Sequence, residues 1–150
     1  MRVAAALATL GALAVVGAAA ALGPDAARKD GLPAYVTGYG AWPKLNAKPI
    51  VGGSSAHQGT KQVYASKRKR GARFPVGTIV VKTAAPSGKR WLSLVATMRR
   101  IQGGANGGWR WEEFTRSSPT QRFTRIAFPE SSCAACHAQV KSLDYVFTRR

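Results

Sequence analysis

The stretch Phe74-Pro75-Val76-Gly77-Thr78-Ile79-Val80-Val81-Lys82 decides the fold class. Pro75 and Gly77 punctuate its start, and β-branched residues fill positions 78–81, the composition of a strand and not of a helix. Alternation puts Val76, Thr78, Val80 and Lys82 on one face. A lysine therefore closes an otherwise apolar face, and its ordinary reading is a side chain that snorkels out at a strand end. The neighbouring segments share this character. Residues 62–65 form a short strand, ended by Lys67-Arg68-Lys69-Arg70-Gly71. Residues 91–99 form the next, with Leu92, Leu94, Ala96 and Met98 on one apolar face and Val95 on the other, between Ser93 and Thr97. Residues 109–114 follow as a strand with Trp109 and Trp111 on one side. Turns fall at 84–89 and in the glycine-rich 102–108, whereas the polar 117–125 gives no clear assignment. The expectation is a mainly β (α+β) domain with an antiparallel sheet.

Composition sets the frame around that sheet. The chain has 150 residues, about one domain, and 45% hydrophobic residues, enough for a core. Its 16 glycines and 8 prolines suit a loop-rich fold better than a bundle of long helices. Met1-Arg2 precedes an uncharged run over 3–22, and Ala18-Ala19-Ala20 fits the small-residue cleavage pattern of a signal peptide. The run is also about long enough to span a bilayer. Residues 1–23 are thus expected to be a signal peptide or membrane anchor, 24–34 a polar linker and 35–150 the folded domain. The net charge is +17, from 23 Lys+Arg against 6 Asp+Glu, and loss of the leader would remove only Arg2. Such a field favours acidic partners or anionic surfaces. Nucleic acid is set aside because the protein is expected to be exported to the periplasm, and the basic run 67–70 is read as a solvated turn or a docking element.

The chemistry is concentrated in Cys133-Ala134-Ala135-Cys136-His137. C-x-x-C-H is the attachment signature of a c-type haem: each thiol adds to one vinyl group and the adjoining imidazole reaches the iron. These are the only two cysteines in the chain. Zinc would need four ligands, of which only His57 could supply a distant one. A thioredoxin-like pair would sit near a βαβ pattern, which is absent. A disulfide here would close a very small loop and staple little. Ser131 or Ser132 could cap a short helix carrying the motif to about Lys141. Only 13 residues follow His137, and Met98 is the sole methionine beyond Met1, so a helical carrier with a downstream methionine ligand does not fit.

From about Tyr35 to Phe147 the chain resembles the cytochrome P-460 family, which includes the beta-type cytochromes c-prime. The resemblance rests on Trp42-Pro43-Lys44-Leu45-Asn46, Val63-Tyr64, the strand ending Gly77-Thr78-Ile79-Val80-Val81-Lys82, Gly108-Trp109-x-Trp111, the C-x-x-C-H motif and Asp144-Tyr145-Val146-Phe147. It implies a mostly antiparallel fold, often a homodimer, with one covalent haem c that is five-coordinate and open on one side. His137 would be the axial ligand, with Cys133 and Cys136 as attachment points. Lys82 stands where the P-460 enzymes join a lysine to the porphyrin edge, a link the c-prime members lack. The enzymes, which oxidise hydroxylamine, also use a distal carboxylate and a distal arginine. Those positions fall on Val95 and Lys61 here, while Glu112 and Glu113 belong to another strand. An apolar Val95 would favour nitric oxide or a similar neutral ligand. The alternatives are oxidation of a hydroxylamine-type compound, with Lys82 joined to haem, and electron transfer to an acidic redox partner. His57 as a sixth ligand would favour the last, although a histidine after Ser54-Ser55-Ala56 is ordinarily exposed.

Overall fold

The computed structural model describes residues 27–52 and 55–148; the expected leader lies outside them. Its centre is an antiparallel meander in the order β1 (Thr60–Ala65), β2 (Ile79–Ala85), β3 (Leu94–Arg100), β4 (Trp109–Thr115) and β5 (Thr124–Arg125). One helix, α1 (Glu130–His137), follows and runs into a 3-10 segment, Ala138–Leu143. The mainly β expectation therefore holds, with β5 supplied by the polar segment that had no clear assignment.

Two differences from the sequence reading have local causes. β2 begins at Ile79, because residues 75–78 form a turn: the Thr78 amide and hydroxyl both donate to the Pro75 carbonyl, at 3.1 and 2.6 Å. Gly77 takes φ +77° there, a left-handed conformation open to glycine, and Val76 is left exposed. The helix starts at Glu130 after Pro129, whose φ of −62° leads into it without a side-chain cap. Ser131 and Ser132 lie inside the helix and cap nothing. α1 ends at His137 and not near Lys141.

The period-2 alternation of the strands gives the sheet two different faces. On one, register aligns Ala65, Val80, Met98 and Trp111 in one row and Val63, Lys82, Ala96 and Glu113 in the next. This face packs on Phe74, Ala134 and Val146, so α1 and the C-terminal segment cover it. The other face carries Val81, Val95 and Phe114, covered by Leu32, Val36 and Phe123.

The covered back face contains a polar network as well. The Tyr35 hydroxyl donates to Glu112 Oε2 at 2.6 Å and lies 2.9 Å from Thr97 Oγ1. Arg99 and Arg125 pair with the same carboxylate at 3.4 and 3.1 Å. Burial, then the hydrogen bond to Glu112, raises the Tyr35 pKa, so the phenol stays protonated and donates. Tyr35→Phe should lower stability by about 1–2 kcal/mol in a denaturant titration, because it removes a charge-assisted bond at a half-buried site.

Candidate functional site

The C-x-x-C-H residues are held by what surrounds α1. Glu130, in its first turn, accepts hydrogen bonds from the Trp111 amide at 3.1 Å and Arg110 Nε at 3.2 Å. That carboxylate fastens the start of the helix to β4. Cys133 and Cys136, three residues apart, share a side of the helix. Both are free thiols, and both line a cavity of about 470 Å³ together with His137.

His137 is 9% exposed and sits between the rings of Trp111 and Phe147, edge-on to each at 4.6 and 4.9 Å. Its Nδ1 lies 2.6 Å from the Tyr145 carbonyl oxygen. A carbonyl can only accept, so Nδ1 carries the proton and Nε2 keeps its lone pair. Burial pushes the imidazole pKa down to about 4, so the ring is neutral at ordinary pH. A neutral, oriented imidazole with a free Nε2 is the form a metal ligand requires, and a carbonyl on its other nitrogen is the usual support. The chain makes that support by turning sharply: Asp144 and Tyr145 have φ +58° and +65°. The Tyr145 ring rests over Gly107, where an added Cβ would stand 2.5 Å from it.

The cavity wall contributed by the sheet is polar at one place. Register brings Lys82, Ala96 and Glu113 side by side on three adjacent strands. His57, from the 3-10 turn Ser55–His57, reaches into this group. Its Nε2 is 2.9 Å from Glu113 Oε2 and its Nδ1 is 3.3 Å from Lys82 Nζ. Lys82 also lies 5.7 Å from the Phe147 ring centroid. Burial, and then neighbouring Lys61, lowers the Lys82 pKa.

Several sequence expectations change at this point. Val95 is not a cavity residue: it is 0% exposed in the core of the opposite face, paired with Thr83 and Phe114. Ala96 is the β3 residue that lines the cavity. His57 is not an exposed loop residue, since its side chain is only 17% exposed and both ring nitrogens have partners. Nor does the cavity lack a carboxylate, because Glu113 lines it. Lys61 lines it too, but its ammonium donates to the carbonyls of Gly52, His57 and Gly59, fastening the loop that carries His57. Lys82, Cys133, Cys136 and His137 all line the cavity, so the structure brings together every sequence candidate except Val95.

Glu113 was within reach of the sequence. The alternation that pairs Trp109 with Trp111 puts Glu113 on the same face one step later. His57 gave no such signal.

The residues present suit a porphyrin. Two thiols and an oriented imidazole flank an otherwise largely apolar space, with Ile50, Val63, Val80 and Phe128 in its walls. The Trp111 indole N–H, at the cavity wall, is buried without a partner among the described residues. Among the described residues no group of three or more His, Cys, Asp or Glu side chains gathers as a metal cage would require. Among known protein families, the one described as Cytochrome P460 matches residues 37–148, most of the chain. No curated protein matches it.

Proposed function

The chain belongs to the cytochrome P460 family and is a haem-binding cytochrome; from that premise we propose an exported mono-haem c protein whose cavity takes nitric oxide or a similar small nitrogenous ligand. Cys133 and Cys136 would hold the haem covalently and His137 would be its axial ligand. When bound, the haem supplies an iron coordination position for a small molecule. The observation that carries the reading is the commitment of His57. With Nε2 on Glu113 and Nδ1 on Lys82, neither nitrogen is available as a competing ligand. Met98 is buried in the core beside Trp111, its partner across the β3–β4 ladder.

The polar group also shapes what the cavity accepts. Ala96, small and apolar, leaves room between Lys82 and Glu113, and those two side chains offer a donor and an acceptor to a ligand. Titrating nitric oxide into the reduced protein should give one saturable absorption change per haem. A spectrum that nitric oxide leaves unchanged would refute the reading.

Glu113 favours a second reading, oxidation of a hydroxylamine-type compound. A carboxylate in the cavity is a group that could accept protons from such a substrate. Turnover should then fall about 100-fold or more in Glu113→Gln, the lower range for loss of a positioned base. Rates unchanged in both Glu113→Gln and Lys82→Arg would exclude a mechanism that runs through these two residues.

A further inference from the structure

We propose that Lys82, His57 and Glu113 form a nucleophile–base–carboxylate chain, in which His57 takes a proton from Lys82 and leaves its amine reactive toward the cavity. An activated nucleophile is recognised by a base within hydrogen-bond reach and a third group that orients the base. Here the nucleophile–base distance is 3.3 Å and the base–carboxylate distance 2.9 Å. Glu113 can only accept from His57 when ionised, so Nε2 bears the hydrogen and Nδ1 presents its lone pair to Lys82. The arrangement is built into the fold. Lys82 and Glu113 are fixed by register to either side of Ala96, and His57 is held by the Lys61 ammonium on its own carbonyl at 2.9 Å.

The proton balance is simple. One proton passes from Lys82 Nζ to His57 Nδ1, the Nε2–H stays on Glu113, and the imidazolium is stabilised by the carboxylate. No electron moves. Burial and then Lys61 favour the neutral amine of Lys82, whereas Cys136 and Glu113 oppose them. The site would take a small electrophile with an electron-poor carbon. With isocyanic acid, Nζ forms one bond to that carbon and gives one proton to the isocyanic nitrogen, leaving a urea.

This inference needs the cavity but not the identity of the haem ligand. The test is carbamylation of the purified full-length protein by cyanate near neutral pH, read residue by residue from peptide masses. Lys82 modification should fall about 100-fold in His57→Gln, the lower range for loss of a positioned base, and should fall in Glu113→Gln as well. Exposed Lys89 and Lys141 report reagent activity and should be unchanged. Where Lys82 is already joined to porphyrin in the purified protein, the linked fraction is the readout and should drop in the same two variants. Equal modification of Lys82 in the wild type and both variants would overturn the proposal, because burial alone would then explain the reactivity. If His57→Gln does not fold, Glu113→Gln decides alone. A wild-type protein without haem that still shows His57-dependent labelling would refute the proposed function and leave this chain standing.

Discussion

Replacing Cys133 and Cys136 together with alanine should remove all covalently held haem, seen as a denatured mass equal to that of the polypeptide. These are the only cysteines in the chain. Both thiols open on the cavity that His137 lines, and neither is used in a disulfide. Their local environments differ, Cys133 being half-buried and Cys136 exposed. Burial raises the Cys133 thiol pKa, and its half-buried position makes it the less accessible of the two before attachment. Each single variant should therefore keep one link, with Cys133→Ala retaining more haem than Cys136→Ala. A haem mass that survives in the double variant, on a peptide lacking residues 133–137, would contradict attachment through this motif alone.

Asp144→Ala should be the most damaging single substitution on the His137 side of the cavity. Asp144 is 5% exposed and serves two partners, the buried Phe74 and the partly buried Arg100. It accepts from the Phe74 amide at 2.8 Å and pairs with Arg100 Nη1 at 3.3 Å. The same guanidinium group donates to the Gly107 carbonyl at 2.7 Å and lies over the Trp109 ring. Alanine would leave an amide unsatisfied and a largely buried cation without its carboxylate, and breaking such a pair from one side costs about 3–5 kcal/mol. The left-handed backbone, φ +58°, adds to the penalty for alanine but is tolerated by asparagine. Asp144→Asn should therefore cost clearly less, about 1–2 kcal/mol, by keeping one acceptor. Thermal unfolding of the two variants checks this, and equal losses would argue against the carboxylate as the source. Because the Tyr145 carbonyl that orients His137 is on the next residue, the alanine variant should also disturb the haem spectrum.

The sheet was legible because a single strand face repeats every second residue, and the alternation in residues 78–82 and 91–99 needs no distant information. The C-x-x-C-H pattern could be read because its five residues are contiguous. What failed was a choice between two local signals. Alternation already placed Val95 away from Leu94, Ala96 and Met98, yet alignment by position put it in the cavity, and the register vindicates the alternation. The Asp144-Tyr145-Val146-Phe147 tail was visible as a pattern, but not its work. Only the fold shows Asp144 capping the Phe74 amide across 70 residues. His57 was the hardest to foresee, since its partner Glu113 lies 56 residues away and its loop carries no periodic signal. The start of α1 was missed for a different reason: serines suggested a cap, whereas the helix begins after Pro129 with no side-chain cap and is tied to β4 through Glu130.

The central claim is that His137 lines the cavity as its iron ligand while His57, the other histidine there, is held by Glu113 and Lys82. The most direct measurement is the absorption spectrum of the purified protein, oxidised and reduced. A five-coordinate, high-spin haem in both states is the predicted result, whereas a six-coordinate, low-spin spectrum from the ligand-free protein would contradict it.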